Sequence, residues 1–147
     1  MSIGDHVFVG AGSWLQVLYG PDRAGRLEIG NGSALTGYCV VAAAEHVRLG
    51  RGVLLARNVY ISDHSHAFAD PSRPIIEQGV DRLAPVEISD GAWLGQNVVV
   101  CPGVRIGRNA VIGANSVVRD DIPDYGVAVG APARVVRVRE GSSHITA

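Results

Sequence analysis

The chain has 147 residues, a formal net charge of −1 and 18% charged side chains. That length suits one domain with a core of its own, and the near-neutral balance argues against an electrostatic nucleic-acid surface. Apolar residues reach 47% while aromatics make up 5%, so the core must be built from Val, Ile, Leu and Ala with few rings.

The opening stretch MSIGDHVFVG lacks a basic n-region and an unbroken apolar run, so no signal peptide is expected. No window approaches the ~18 consecutive apolar residues of a membrane span. Instead, a six-residue template sets in at Ile3, as IGDHVF and VGAGSW. It returns as IGNGSA at Ile29, LGRGVL at Leu49 and LARNVY at Leu55. From Ile88 it runs on as ISDGAW, LGQNVV, VCPGVR, IGRNAV and IGANSV. The first position is aliphatic, the second often Gly, the fourth mostly Gly or Asn, and the fifth small or Val.

A period of six fits neither the 3.6 of a helix nor the 2.0 of a flat strand. Gly or Asn at the fourth position marks a corner with positive φ, the conformation those two tolerate best. Three short strands per turn, separated by such corners, make a triangular prism whose first and fifth positions point inward. Neighbouring coils then stack ~4.8 Å apart. First positions fall at 3, 9, 15; 29, 35, 41; 49, 55, 61; 88, 94, 100; and 106, 112, 118, which predicts five coils. Every interruption follows the third strand of a coil, so all insertions should leave at one corner and line one edge.

The longest interruption begins with VYISDHSHAFADPSRP, from Val59 to Pro74. His66 takes the sixth, outward position of the hexad that starts at Ile61, beside the insertion corner. His64 takes the fourth position, as His6 does in the first hexad, where a turn residue is expected. His46 is a sixth-position residue one coil earlier, predicted to stack over His66, with Glu45 available to fix its tautomer. The segment 67–87 is expected to fold over this corner. Beyond Val118 the beat dissolves; a last step is read at Val129-Gly130, and Pro132 opens an expected short helix or cap. Residues 138–147 read as a polar tail after a 1–137 domain. Cys39 and Cys101 have no metal or redox spacing, which favours a reducing, cytoplasmic setting.

The ordered blocks NVYISDHSHAF, AWLGQNVVVCPGVRIG, IGANSVVRDDIP and VGAPARVVR resemble the hexapeptide-repeat acyltransferases, nearest to the maltose and galactoside O-acetyltransferases and those of surface polysaccharide synthesis. The resemblance implies an all-β, left-handed parallel β-helix, a homotrimer, and transfer of acetyl from acetyl-CoA to a hydroxyl of a sugar or nucleotide-sugar acceptor. It implies His66 as general base; Glu45, Asp63 and His64, which flank the same corner, are read as acceptor-binding residues. It maps Trp93, Gln96 and Ala114 to the thioester and pantetheine end of CoA, and Arg134 and Arg137 to the CoA phosphates. Where the family has T-K-D-I-P this chain has R-D-D-I-P, so Arg119 stands in for the lysine and Asp120 holds its place. No metal is implied. An imidazole suits the base role because it titrates near neutral pH.

Two other readings use the same residues. His46, His64 and His66 could ligate zinc, as in a carbonic anhydrase built on a β-helix. Alternatively, the prism could be a non-catalytic assembly scaffold.

Overall fold

A computed structural model describes residues 1–20 and 23–140. The six-residue beat becomes three parallel sheets, one on each face of the prism. The first face pairs Ser2–Ile3, Arg26–Ile29, His46–Leu49, Val86–Ile88 and Arg105–Ile106. The second carries Phe8–Val9, Ala34–Leu35, Leu54–Leu55, Trp93–Leu94, Val111–Ile112 and Gly126–Gly130; the third, Trp14–Val17, Val40–Ala43, Tyr60–Ser62, Val99–Val100 and Val117–Val118. This is the left-handed parallel β-helix expected from the resemblance.

The first positions stack in the register read from the sequence. Ile3, Ile29, Leu49, Ile88 and Ile106 form one column. Val9, Leu35, Leu55, Leu94 and Ile112 form the second, and Leu15, Val41, Ile61, Val100 and Val118 the third. From Leu27 to Ala128 these columns and the fifth-position residues between them are almost wholly buried. Parallel strands covered on one side by the opposite walls of the prism thus bury their aliphatic residues along its axis.

The corners follow from the fourth and second positions. Asn58, Asn97, Asn109 and Asn115 all have φ between 51° and 62°. Asn58 Nδ2 donates to Asn97 Oδ1, and Asn97 Nδ2 to Asn115 Oδ1, each at 2.9 Å, which ties three coils along one edge. The second-position glycines answer a different need. A Cβ on Gly95 would lie 2.7 Å from the amide nitrogen of Ala114 in the next coil, so side chains are excluded where coils touch at a corner.

Three sequence expectations change at the C-terminal end. The sixth partial coil continues through Ile122 and Ala128, so Ala128, not Val129, takes the inward position below Ile112. Pro132 opens no helix: Ala133–Val138 turns back antiparallel on Gly126–Gly130 and covers the free edge of the second face. Val138 pairs with Gly126, and Arg139 N–H donates to Tyr125 O, so regular pairing passes beyond the expected tail boundary at 138. The stretch 141–147 lies outside the described residues.

The outward residues differ sharply between faces. The first face presents Ser2, Glu28, Arg48, Glu87 and Arg105 in register, with Arg48 paired to Glu87 at 3.0 Å. The second presents Phe8, Ala34, Leu54, Trp93 and Val111, and the third Trp14, Val40, Tyr60, Val99 and Val117. One face is charged and two are apolar.

Candidate active site

All three insertions leave the prism after its third face, as the hexad count requires. The first is an antiparallel pair, Tyr19–Gly20 with Arg23–Ala24. The second is short and leads straight into His46–Leu49. The third departs after Ser62 as Ser65–His66, returns antiparallel as Val80–Asp81, and holds a 3₁₀ turn at Ile75–Glu77. Successive corners are tied by backbone bonds, from Leu18 N to Ala43 O and from Asp63 N to Ala42 O, and onward from Gly103 N to Ala84 O.

At this edge a cavity of about 310 Å³ is lined by Tyr60, Ser62, His64, Ser65, His66, Val99, Val100, Cys101 and Pro102. A second cavity of about 380 Å³ shares Ser65, Cys101 and Pro102 with it and adds Arg82, Leu83, Ala84 and Arg119. The two form one groove, with imidazoles at one end and guanidinium groups at the other. His66 is exposed on its short strand, free to meet a ligand. Arg82, Leu83 and Ala84, from the return of the 67–87 segment, line the second cavity, but the segment's outer part, residues 67–79, lines neither and does not roof the site as the sequence reading expected. It projects instead, with Phe68 under the Arg82 guanidinium at 5.4 Å and Ile76 87% exposed.

The acidic and imidazole neighbours are arranged differently from expectation. Asp63 is fully buried, and its oxygens accept N–H bonds from Ala44 and Glu45 at 2.8 Å each and from His64 Nδ1 at 2.9 Å. With those donors in place it lies outside the cavity lining and meets the cavity only through His64. Glu45 is exposed and does not line the cavity; its contribution to the site is a backbone N–H. His46 opens the first face, in register with Arg26, and its Nε2 lies 3.4 Å from Glu28 Oε2. It therefore neither stacks over His66 nor pairs with Glu45. The three histidines of the zinc reading are thus not brought together, and among the described residues no three His, Cys, Asp or Glu side chains converge. Glu28, gripped first by Arg26 and also by His46, has its carboxyl held below the usual range.

His64 differs from the turn residue predicted for its position. His6, its counterpart in the first hexad, has φ of 54°, whereas His64 is outside the left-handed region. The excursion replaces the tight corner, so the histidine is not there to turn the chain.

The residues mapped to CoA sit elsewhere. Trp93 is half-exposed on the second face; Gln96 and Ala114 are exposed at the edge between the second and third faces, where Asn115 N–H donates to Gln96 O. Arg134 and Arg137 lie on the final antiparallel strand, and Arg134 Nη1 is bound to Asp120 Oδ2 at 3.0 Å. The acid in the family's lysine position thus engages Arg134, while Arg119 lines the groove. Within one chain His66 and Trp93 do not share a cavity. Sequence reasoning did not single out Tyr60, Pro102 or Arg82. Tyr60 could have been found as the outward residue immediately before the excursion; Arg82, with φ of 49°, carried no sequence signal.

A coil of hexads with a histidine-bearing excursion at one corner defines the class: a left-handed β-helix of the transferase type. The model of bacterial transferase hexapeptides (six repeats) matches residues 85–120. A Mycobacterium tuberculosis protein named a probable acetyltransferase is 36% identical over 141 residues, covering 95% of this chain and 45% of its own length. WbbJ of Escherichia coli, named for O-acetyl transfer in lipopolysaccharide biosynthesis, is 42% identical over 106 residues, covering 68% of this chain and 54% of itself. Galactoside acetyltransferase, solved in complex with coenzyme A, superposes with a TM-score of 0.79 at 32% identity, covering 93% of this chain and 64% of that one. The chain belongs to the hexapeptide-repeat acyltransferase family. It spans about half the length of the curated relatives it matches.

Proposed function

We propose that the protein transfers an acetyl group from acetyl-CoA to a hydroxyl of a sugar or nucleotide-sugar acceptor, with His66 as general base. The observation that carries this reading is an exposed imidazole lining a groove whose walls mix apolar residues with serine and histidine, on the longest departure from a regular prism. In the step envisaged, His66 takes the acceptor hydroxyl proton as the oxygen attacks the thioester carbonyl. The C–S bond then breaks, the proton passes to the leaving sulfur, and an ester and free CoA result. A sugar hydroxyl is too weak an acid to attack unaided near neutral pH, and base assistance is commonly worth 10²–10⁴-fold. The name of WbbJ supports a saccharide acceptor. The free thiols Cys39 and Cys101 are in keeping with a reducing compartment, and we place the reaction in the cytoplasm. His66→Ala should lower kcat by 10²–10⁴ without weakening acetyl-CoA binding, read by free-thiol release across glycosides and nucleotide sugars. Unchanged turnover in the variant would remove His66 from the mechanism, and activity abolished by chelation and restored by zinc would favour a metal mechanism.

We further propose that the active unit is a homotrimer with each site completed by a neighbouring copy. Its support is the contrast between faces: Phe8, Leu54 and Trp93 on the second and Trp14 and Tyr60 on the third are each 40% or more exposed, while the first face is charged. Large contiguous apolar surfaces mark association, and adjacent copies could set one copy's second face against the next one's third. That packing would bring Trp93, Gln96 and Ala114 of one copy toward His66 of another, with Arg119, Arg134 and Arg137 as phosphate contacts. Light scattering should give about three times the 15.4 kDa chain mass; an active 15.4 kDa monomer would overturn shared sites.

A further inference from the structure

His64 is largely buried, and both contacts of its Nδ1 point to the same tautomer. Its Nδ1 lies 2.9 Å from Asp63 Oδ1 and 3.2 Å from Ser62 Oγ. Asp63 is an acceptor there, as it is toward Ala44 and Glu45. Ser62 gives its hydroxyl proton to His64 O at 2.9 Å, so its oxygen offers only lone pairs to the ring and to the His64 amide. In the uncharged imidazole the proton therefore sits on Nδ1, and the lone pair on Nε2. That Nε2 has no protein partner among the described residues and is not sealed from solvent; the side chain, 11% exposed, lines the cavity. A ring clamped on one side and open at a single acceptor atom is built to receive a hydrogen bond.

The placement beside His66 gives that bond a meaning. Residues two apart on extended chain are about 7 Å apart, and both imidazoles line one cavity. Two hydrogen bonds of ~2.8 Å each to neighbouring hydroxyls of one ring can close that span.

We propose that His64 is a specificity-determining residue of the acceptor pocket, its Nε2 lone pair receiving the hydroxyl next to the one that His66 deprotonates. Asp63 is then a positioning residue, acting through His64 alone. The ligand class is a polyol or sugar with two adjacent hydroxyl groups, in contrast to a simple alcohol. This rests on hydroxyl transfer as proposed above, and the test separates the two.

The first measurement needs neither acceptor nor variant. Long-range ¹H–¹⁵N spectra of ring-labelled protein at pH 7.5 should show His64 as the Nδ1–H tautomer, and Asp63→Asn should shift it toward Nε2–H. A parent protein with Nε2 protonated would overturn the proposal. The second measurement uses methyl α-D-glucopyranoside, methyl α-D-galactopyranoside and their monodeoxy derivatives at saturating acetyl-CoA. Removing the partner hydroxyl should lower kcat/KM about 10–100-fold in the parent, the range for a hydrogen bond left unmade in a desolvated site. In His64→Ala that penalty should vanish, with full and deoxy glycosides turned over alike, while His66→Ala should slow both equally and leave the ratio unchanged. A penalty that persists in His64→Ala, or an equal loss of kcat on all acceptors in that variant, would overturn the assignment. If no glycoside is turned over by the parent, hydroxyl transfer to such sugars fails as a reading, and the tautomer spectra still decide whether the Asp63–His64 clamp exists.

Discussion

His6 and His64 occupy the same hexad position, two coils apart, and do different work. His6 turns a tight corner with φ of 54°. His64 stands where the corner has been opened by an insertion, and its ring is spent on Asp63 and the cavity. Along the edge between the second and third faces the fourth positions stay in the left-handed region and Asn58, Asn97 and Asn115 bond to one another. Those side chains are consumed by the fold. At the insertion edge the backbone demand is lifted, so a fourth-position side chain is released for other contacts. Regular corners stabilise the coil; the irregular corner leaves its side chains free to line a cavity.

Replacing each histidine by glycine tests that comparison directly. His64→Gly gains nothing from a relaxed φ and loses a hydrogen bond to a buried carboxylate, leaving Asp63 short of a donor. Such bonds are worth about 1.5–3 kcal/mol, and glycine adds roughly 0.5–1 kcal/mol of chain entropy. Urea unfolding should therefore show a loss of about 2–4 kcal/mol by those two terms. His6→Gly should behave oppositely. Relief of ~1–2 kcal/mol for an L-residue in the left-handed region offsets the glycine entropy, and a gain of up to ~1 kcal/mol is expected. Equal destabilisation by both substitutions would mean that position in the hexad, not the state of the corner, decides.

Much of this was legible in the sequence because stacking enforces a repeat. The aliphatic residues from Ile3 to Val118 pair in the columns that their spacing requires, since a slip of one residue would turn every inward side chain out. The insertion edge was legible for the same reason, as each break follows a third strand. What fills the edge was not. That His46 turns to Glu28 depends on Arg26 and Glu28 of the neighbouring coil, far from it in sequence. That Asp63 faces inward depends on two amides of the preceding corner. The period locates a corner but says nothing of hydrogen bonds across it. The C-terminal strand was missed because Pro132 reads as a helix opener, while the unpaired edge of the second face recruits Ala133–Val138 as a strand.

A carboxylate also serves a regular corner, and it makes the mildest test. Asp90 Oδ1 accepts the Arg51 backbone N–H at 2.8 Å, and its Oδ2 meets the Arg51 guanidinium at 3.1 Å and 3.2 Å. Two coils earlier Asn31 Oδ1 accepts the Asp5 N–H at 3.0 Å, so an amide can fill the same role. The Arg51 backbone N–H first, and then its side chain, hold the Asp90 carboxyl below the usual aspartate range. A carboxyl whose folded value is depressed contributes stability above its unfolded value, near ~3.9, and loses it as pH falls through the folded one. Asp90 is 37% exposed at its side chain, so solvent screening keeps the effect small. Asp90→Asn keeps an acceptor for Arg51 N–H and removes the charge. Its Tm should fall by no more than about 3 °C at pH 7, and the gap from the parent should close as pH drops below 4, where the parent's carboxyl takes up its proton. Asp63→Asn, scanned the same way, should cost more at neutral pH, because its carboxylate is fully buried and a single amide oxygen cannot accept all three of its N–H donors. If the two substitutions cost the same at pH 7, the distinction between a corner that closes the coil and a corner that opens it has no energetic basis.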